Sequence, residues 1–505
     1  MGGKKAYLQW KRKQRREAER DEYGVRVKSK KPAGYRNRDN NSGCAQVSLN
    51  QQPERRAPGD AVQSYDPNRY RQTFLAESRE EIESREKLAQ LPYESLSEEA
   101  LELDVNDIYP PGSIVDIPKR PAWKYTMTKQ ELEQQEREYF NHYVENIMAR
   151  HKPQDLSYME LNLETWRQLW RVLEMSDIIL LIVDIRYPAL HFPPALYHHV
   201  TQEMGKQMIV VLNKTDLAPA SLVEAWKEYF LHSFPHLHVV CFSSFPKDEN
   251  EAPPARVLSK KKARKTRRNV SGPRELLQAC QAIVPPEVDL CCWKEKIEAD
   301  LSSDDTSAYG GHHEVTVETD GGSYSKHQPY DKEILTIGCC GYTNVGKSSV
   351  INALMGKKVV SVSKSPGHTK HFQTIFLTPK VKLCDSPGLV FPSLVPKPLQ
   401  ILAGFYPIAQ VREPYTVVMY LAQRIPLPDL LHLKHPEGEG VAEDGDLKWS
   451  AYDICYAWAE RRGFRTSRAG RPDVYRAANN ILTLCAAGRL RLCMRPPNVV
   501  QSSED

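Results

Sequence analysis

The chain has 505 residues and a formal net charge of +5, with 69 Lys and Arg against 64 Asp and Glu. This length exceeds the usual single hydrophobic core, so we expect one large domain with flanking segments. The 11 cysteines contain no C-x-x-C spacing, which argues against a disulfide framework, and no apolar run is long enough to span a membrane or to form a signal peptide. We expect the adjacent pairs Cys291-Cys292 and Cys339-Cys340 to be buried small hydrophobic residues.

The first predicted segment is a basic arm. Residues 1–40 carry 14 Lys and Arg against 5 Asp and Glu, and residues 41–75 are rich in Asn, Gln, Pro and Ser. This composition predicts a largely disordered arm over residues 1–75. The dense run Lys11–Arg16, and a second at Lys260–Arg268, are typical of segments that bind RNA phosphates or nuclear import receptors. The alternative for each run is a solvated tail without a partner.

A helical extension is predicted next, over residues 76–155. Thr128 and Glu131 form a capping-box pattern at the start of a helix whose apolar face carries Phe140 and Ile147. Just after the extension, a second helix is predicted to pack against a sheet through Trp166, Leu169, Trp170 and Leu173.

Three strand-like apolar runs follow, near residues 178–183, 208–212 and 239–242. The second run leads into Asn213-Lys214-Thr215-Asp216, at the carboxyl end of a strand, where doubly wound sheets bind ligands. The Asp216 carboxylate can accept two hydrogen bonds from the adjacent ring N–H and exocyclic amine of guanine, a pair that adenine does not offer. Taken alone, the four-residue N-K-x-D pattern usually marks a turn.

A phosphate-binding loop is predicted at Gly341-Tyr342-Thr343-Asn344-Val345-Gly346-Lys347-Ser348, which matches G-x-x-x-x-G-K-[ST]. A strand near residues 334–339 precedes it, and a helix continues from Ser349. The glycines let the backbone wrap around an anion, and the helix start presents N–H groups to it. We expect Lys347 to reach the β and γ phosphates of a nucleotide and Ser348 to bind Mg²⁺.

The third motif is Asp385-Ser386-Pro387-Gly388, at the end of a strand near residues 381–384 that follows another near 373–377. Asp385 is a candidate Mg²⁺ ligand, and Gly388 allows a backbone N–H to approach a γ-phosphate. Between the phosphate loop and this motif, Thr369 is the candidate switch hydroxyl for Mg²⁺. The alternative is that Thr369 belongs to an ordinary Pro-Gly turn.

The order of these motifs is the decisive feature of the sequence, because Ras-like GTPases place the guanine-reading motif last and this chain places it first. The order resembles that of the circularly permuted GTPases of ribosome assembly. Asp184-Ile185-Arg186-Tyr187-Pro188 is also similar to the family's D-A-R-x-P element, with Ile185 in place of alanine. The resemblance covers about residues 110–495. Within the family, residues 161–170 and 458–468 resemble one branch in particular.

The resemblance implies an α/β fold: a circularly permuted Ras-like P-loop GTPase domain with a three-layer, mostly parallel sheet, a basic N-terminal arm and a helical C-terminal domain. The GTPase domain is expected over residues 156–395, with insertions near 246–272 and 301–330. The helical domain is expected over residues 396–495, followed by a tail over 496–505.

Two helices are expected in the helical domain. Tyr452, Cys455, Tyr456 and Ala459 form one face, and a second helix is expected to begin at Pro472 and to stop at Gly488. The resemblance implies contact of this domain with ribosomal RNA, through Arg461, Arg462, Arg465, Arg468 and Arg471. The residues alone are equally compatible with a basic surface on a structural cap. The γ-phosphate is expected to control movement of this domain.

The resemblance further implies a site for GTP or GDP with Mg²⁺, in which Ser243-Ser244 is similar to the loop that backs the base. Lys347, Thr369 and Gly388 are the expected catalytic residues, and Ser348, Thr369 and Asp385 are the expected Mg²⁺ ligands. The expected nucleotide-binding residues are Asn213, Lys214, Thr215, Asp216, Ser243, Ser244, Gly341, Tyr342, Thr343, Asn344, Val345, Gly346, Lys347, Ser348, Ser349, Asp385, Ser386, Pro387, Gly388 and Leu389.

Slow hydrolysis of GTP is expected, because Leu389 stands where Ras-like enzymes place a water-orienting glutamine. Asn344 resembles the asparagine that holds K⁺ in potassium-stimulated relatives, and a residue chosen for loop geometry is an equal alternative. We expect a monomeric nuclear or nucleolar protein that shuttles to the cytoplasm, binds pre-ribosomal particles or ribosomal RNA, and acts as a nucleotide switch in ribosome biogenesis. The alternatives are a GTP-sensing scaffold with negligible turnover and an ATPase.

Overall fold

The computed structural model describes residues 46–48, 71–110, 116–152, 156–244, 271–302, 315–316, 328–363, 366–367, 369, 371–437, 448–467 and 470–497. Both basic runs, at Lys11–Arg16 and Lys260–Arg268, lie outside these residues. The described residues form two compact units. The sheet unit comprises residues 48, 71–74, 101–405 and 493–497, and the helical unit comprises residues 46–47, 75–100 and 406–492. The domain limits expected from the sequence stay predictions.

In chain order the described strands are β1 (Gln46–Ser48), β2 (Thr73–Leu75), β3 (Ile178–Asp184), β4 (Gln207–Asn213), β5 (His238–Phe242), β6 (Val315–Thr316), β7 (Leu335–Cys340), β8 (Gln373–Thr378) and β9 (Val381–Asp385). Six of them, β3, β4, β5, β7, β8 and β9, follow the predicted runs closely.

Seven of the described strands form one sheet in the order β5-β4-β3-β7-β9-β8-β6. The pairs β5–β4, β4–β3, β3–β7 and β7–β9 are parallel. By contrast, β8 is antiparallel to β9, and β6 is antiparallel to β8. The mostly parallel sheet is therefore confirmed, with its antiparallel part confined to one edge.

The helices are α1 (Arg79–Leu88), α2 (Val105–Ile108), α3 (Lys129–Arg150), α4 (Leu163–Met175), α5 (Pro194–His198), α6 (Ala220–Ser233), α7 (Pro273–Ile283), α8 (Cys291–Ser302), α9 (Lys347–Met355), α10 (Lys397–Leu402), α11 (Tyr415–Ala422), α12 (Leu427–Leu430), α13 (Ala451–Arg462) and α14 (Val474–Ala486). Among the described residues, none of these helices is both long and apolar enough to cross a membrane.

Register brings the ends of the central strands together at one edge of the sheet. Asp184 at the end of β3 is level with Asn213 at the end of β4, and Asp385 at the end of β9 is level with Cys339 on β7. Every side chain of β3 is buried, as expected of a central strand covered on both faces. The loops that carry the three motifs therefore all leave the sheet at its carboxyl edge.

Two predicted helices are confirmed in the sheet unit. Thr128 caps α3 with both hydrogen bonds of a capping box to Glu131. On α4, the predicted face of Trp166, Leu169, Trp170 and Leu173 is buried. Cys339 and Cys340 are buried as predicted, but the prediction for Cys291 and Cys292 was wrong, because both are exposed in the first turn of α8.

The helical unit departs from the predicted boundaries at one helix. Its second predicted helix, α14, begins at Val474 with Asp473 as the N-cap, whose side chain accepts a hydrogen bond from the Arg476 N–H. Pro472 lies before the cap and pairs with Arg465 in an isolated bridge, so its placement as the first helical residue was wrong. One of the clustered arginines is structural: Arg461 donates to the carbonyls of Leu431 and His432.

Three short strands were not predicted. β1 and β2 pair with each other and lie in the segment expected to be disordered, and Phe74 on β2 is 1% exposed. β6 lies within the insertion expected at residues 301–330 and pairs with β8.

Candidate functional site

The loop between β7 and α9 has the geometry of a phosphate-binding loop. Gly341 and Gly346 have φ of +139° and +102°, in the left-handed region that favours glycine. A Cβ at Gly341 would lie 2.5 Å from the Ile182 carbonyl oxygen, and one at Gly346 would lie 2.4 Å from Asn213 Nδ2. Both glycines are therefore required by backbone conformation and by close packing.

Lys347, the first residue of α9, lies where the phosphate loop meets the third motif. Its Nζ donates to the carbonyls of Gly341 at 3.1 Å and Tyr342 at 2.6 Å. A Cβ at Gly388 would lie 2.9 Å from this nitrogen, so the Gly388 backbone packs closely against the Lys347 side chain. Burial lowers the pKa of Lys347 to about 8, although nearby Asp385 acts in the opposite direction.

The three predicted metal ligands lie together. The Ser348 hydroxyl donates to Asp385 Oδ2 at 2.8 Å and lies 3.4 Å from the Thr369 hydroxyl. Asp385 is fully buried, its Oδ1 has no hydrogen-bond partner among the described residues, and burial raises its pKa to about 6.

This donor set fits Mg²⁺ bound together with nucleotide phosphates. Mg²⁺ prefers oxygen ligands and is usually held by one or two carboxylates plus phosphates rather than by a cage of protein side chains. In the part of the chain that the structure describes, no group of three His, Cys, Asp or Glu residues is placed to hold a metal. The unpartnered Asp385 oxygen and the two hydroxyls supply the oxygen donors.

The N-K-x-D loop is bonded to the phosphate loop. Asn213 Nδ2 donates to the Val345 carbonyl at 2.8 Å, and Lys214 Nζ donates to the Asn344 carbonyl at 2.7 Å. Lys214 adopts a left-handed φ of +65° at this turn. The two motifs are at least 125 residues apart in sequence, from Asp216 to Gly341, and are thus joined directly in the fold.

Asp216 is held by the loop that follows β5. The Ser243 hydroxyl donates to Asp216 Oδ1 at 2.9 Å, and the Thr215 hydroxyl donates to the Phe242 carbonyl at 3.3 Å. Ser244 lies beside Ser243, and its buried hydroxyl has no partner among the described residues. The loop predicted to back the base therefore fixes the carboxylate predicted to read it.

The sequence is similar to those of known proteins. A family model described as 50S ribosome-binding GTPase matches residues 336–416. Guanine nucleotide-binding protein-like 1 of Mus musculus is 52% identical over 464 residues, which cover 89% of this chain and 76% of the relative. The chain belongs to the guanine nucleotide-binding protein-like 1 family of circularly permuted GTPases. The branch resembled by residues 161–170 and 458–468 is this one.

More distant matches extend the comparison. Large subunit GTPase 1 of Schizosaccharomyces pombe is 34% identical over 399 residues, or 77% of this chain and 59% of the relative. The solved GNP-bound YlqF from T. maritima is 17% identical, with a TM-score of 0.37, and the match covers 67% of this chain and 100% of that one.

As a member of this GTPase family, the chain binds guanine nucleotide and is a P-loop GTP hydrolase. The roles of individual site residues stay predictions, and the structure shows where each lies. The remaining predicted residues are Ser349 in the first turn of α9, and Ser386 and Pro387, buried between Asp385 and Gly388.

Three phosphate-loop side chains of this GTPase face inward. The Tyr342 hydroxyl lies 2.6 Å from the Tyr109 hydroxyl. The Tyr342 ring stacks on the Phe405 ring, with the two ring centroids 4.4 Å apart. The Thr343 hydroxyl donates to the Gly404 carbonyl at 3.3 Å, and Val345 is fully buried. These residues shape the loop, so any contact with nucleotide is left to their backbone.

A buried charge cluster supports the GTPase site from the end of β3. Asp184 is 1% exposed, and its carboxylate accepts from Arg186 Nη2 at 2.8 Å and from Lys214 Nζ at 2.7 Å. Burial alone would raise the pKa of Asp184, but Arg186 and Lys214 hold it well below its usual range. The D-x-R-x-P pattern was the sequence signal for this cluster, although Asp184 and Arg186 were not among the predicted site residues.

Proposed function

We propose that this GTPase hydrolyses GTP slowly and uses its GTP and GDP forms to time a step of ribosome assembly. The observation that carries the proposal is the convergence of Lys347, Ser348, Asp385 and Gly388 on one point at the sheet edge. Ser348, Thr369 and Asp385 would hold Mg²⁺ there, and the bound ion would supply positive charge against the nucleotide phosphates.

The slow rate follows from the residue after the third motif. Leu389 is 1% exposed, and its N–H donates to the Gly341 carbonyl at 3.3 Å. A buried aliphatic side chain cannot hold the attacking water, whereas Ras-like enzymes use a glutamine at this position. A partner that completes the site is expected to accelerate the reaction.

The proposed partner is a pre-ribosomal particle. The names of two matches, Large subunit GTPase 1 and 50S ribosome-binding GTPase, both refer to the large ribosomal subunit. We therefore choose particles of that subunit for the first test. Single-turnover GTP hydrolysis would be measured with and without purified particles, using Lys347→Ala as the inactive control.

Acceleration by the particles supports the proposed switch. Hydrolysis unchanged by the particles would instead favour a GTP-sensing scaffold with negligible turnover. Lys347→Ala should abolish turnover because the lysine neutralises phosphate charge.

Potassium is the second activator to test. Asn344 has a left-handed φ of +60°, a conformation that asparagine tolerates better than most residues, so loop geometry is the alternative to K⁺ binding at this residue. Faster hydrolysis in KCl than in NaCl at equal ionic strength, lost in Asn344→Asp or Asn344→Ala, would support a bound K⁺.

The two basic runs are proposed to direct a monomeric protein to the nucleus and nucleolus and to bind ribosomal RNA. Deleting residues 1–40 together with neutralising Lys260–Arg268 should reduce nuclear accumulation, and RNA affinity should depend less steeply on salt because fewer phosphate contacts release counterions. Imaging and salt titration of the double variant test this. Unchanged distribution and salt slope would favour a solvated tail.

A further inference from the structure

One glutamine from outside the recognised motifs lies between the two segments that flank the expected γ-phosphate position. Gln72, immediately before β2, is 5% exposed. Its Nε2 donates to the Gly388 carbonyl at 3.4 Å. Its Oε1 has no hydrogen-bond partner among the described residues. A buried amide oxygen without a partner is costly in a folded protein and therefore suggests a ligand.

The unpartnered oxygen faces the segment that leads to Thr369. A Cβ built on Gly367 would lie 3.0 Å from Gln72 Oε1, and Gly367 has a left-handed φ of +73°. The Gln72 amide thus bonds the third motif through its nitrogen and approaches the Thr369 segment through its oxygen. A Cβ built on Gly388 would lie 2.9 Å from Lys347 Nζ.

The backbone that carries Gln72 is anchored. The Thr73 N–H donates to Glu160 Oε1 at 2.9 Å, and the Leu161 N–H donates to the Thr73 carbonyl at 2.8 Å. Phe74 is buried, with its ring 5.7 Å from that of Tyr158. These contacts fix the backbone next to Gln72 on the sheet unit.

We propose that Gln72 orients the attacking water in this GTPase, the role that Leu389 leaves unfilled. The inference rests on the GTP hydrolysis proposed above. Gln72 Oε1 accepts a hydrogen bond from the water, whose oxygen bonds to the γ-phosphorus as the bond to the β–γ bridging oxygen breaks. GDP leaves with that electron pair, and the water proton passes to the released phosphate. Gln72 thus contacts a reacting water without itself forming a covalent bond.

The test is single-turnover hydrolysis by the full chain with Gln72→Leu, a change of similar size that removes both polar atoms. We expect the rate to fall by about 10²-fold, because loss of a group that positions a reactant costs a factor of this order. The dissociation constants for GTP and GDP should change by less than about threefold. Binding of GDP with aluminium fluoride, which imitates the transferring phosphoryl group, should be lost.

Two further variants separate water positioning from a structural role. Thr73→Val is the matched control, because it alters the side chain next to Gln72. The Thr73 hydroxyl donates to the Arg71 carbonyl at 3.4 Å, a long hydrogen bond. This variant should hydrolyse GTP at the original rate. Gln72→Asn keeps the amide but withdraws it by one methylene, so it should fold like the parent protein and still lose most of the rate.

The outcomes discriminate clearly. Slow hydrolysis with intact nucleotide affinity, in either Gln72 variant, supports the proposal. An unchanged rate in both variants, or a loss accounted for entirely by weaker GTP binding, overturns it while leaving the proposed function intact. No hydrolysis by the unaltered protein, with or without particles, would overturn both.

Discussion

At the scale of single residues, the site depends on two buried charges outside the three nucleotide motifs, Asp184 and Arg186. Asp184 accepts hydrogen bonds from Arg186 and Lys214, and Lys214 in turn holds the phosphate loop through the Asn344 carbonyl. A buried charge that loses its partner is strongly destabilising. The acidic residue at the end of β3 therefore positions both the guanine-reading loop and the phosphate loop.

Asp184→Asn should lower the free energy of unfolding by about 3 kcal/mol, because it leaves two cations without their carboxylate. GTP affinity should fall as Lys214 loses its anchor. Denaturant unfolding and nucleotide titration measure the two effects. The control is Glu203→Gln, which removes the exposed ion pair with Lys119 and should cost less than about 1 kcal/mol. Equal effects of the two substitutions would contradict this role for Asp184.

Glu160 makes stability depend on pH. Burial raises its pKa to about 8, even though the Thr73 and Asn162 N–H groups bond its carboxyl. The folded protein thus keeps a proton that the unfolded chain releases near its ordinary pKa of about 4.3. This contribution to stability is complete below that value and is lost as pH rises through about 8.

Glu160→Gln should flatten the fall in the free energy of unfolding between pH 5 and about 8, since glutamine does not titrate and keeps an acceptor for the same N–H groups. Between pH 5 and about 8, the free energy of unfolding of the parent protein should fall by about 4 kcal/mol more than that of the variant. Urea unfolding at several pH values provides the measurement. Parallel pH profiles for the two proteins would show that Glu160 does not keep its proton.

At the scale of elements, the phosphate loop is braced by the turn that ends α10. Gly404 has a left-handed φ of +85°, its carbonyl accepts from Thr343, and a Cβ there would lie 2.5 Å from Asn344 Nδ2. Its neighbour Phe405 stacks on Tyr342. Two consecutive residues after α10 therefore contact three consecutive residues of the phosphate loop.

Gly404→Ala should weaken GTP binding about tenfold, because the added methyl group displaces Asn344 and with it the loop backbone. Gly205→Ala is the matched control, since Gly205 has a similar φ of +64° but nothing within 4 Å of the added carbon. It carries the same backbone strain and should bind GTP normally. Titration with a fluorescent GTP analogue compares them; a similar loss in both would trace the effect to strain rather than to the loop.

Elements with a strong local signal were predicted well. Each strand of the base-binding half is a continuous apolar run that ends in a polar motif, so β4, predicted at residues 208–212, extends only one residue further at each end. The capping box at Thr128 fixes the start of α3 for the same reason. The antiparallel pairing of β8 with β9 was not predicted, although their two-residue connection, Pro379-Lys380, is too short for a parallel crossover.

Elements ordered by distant contacts were missed. The segment around Gln72 is polar and has no periodic apolar pattern, and its order depends on pairing with Leu161 and Glu160. The two-residue strand β6 depends similarly on β8. Proline is common as the first residue of a helix, which is why Pro472 was predicted there. In the structure Pro472 instead forms a bridge with Arg465, and α14 begins at Val474.

At the scale of the whole molecule, circular permutation changes the order of the motifs along the chain without changing their order around the site. The sheet places β4 beside β3 and β3 beside β7, so the loop after β4 reaches the loop after β7. Hydrogen bonds from Asn213 and Lys214 to the phosphate loop close this junction. We therefore predict that Asp216, on this early loop, binds the guanine base of a nucleotide whose phosphates are bound by the later loop.

Asp216→Asn tests that claim most directly, with affinities for GTP and xanthosine triphosphate measured in both proteins. The amide adds a donor that mismatches the guanine amine and matches the carbonyl that xanthine carries in its place. GTP affinity should therefore fall and xanthosine triphosphate affinity rise, each by about 1–3 kcal/mol. Affinities for the two nucleotides that are equal before and after the substitution would contradict the assignment of Asp216 and, with it, of the permuted guanine site.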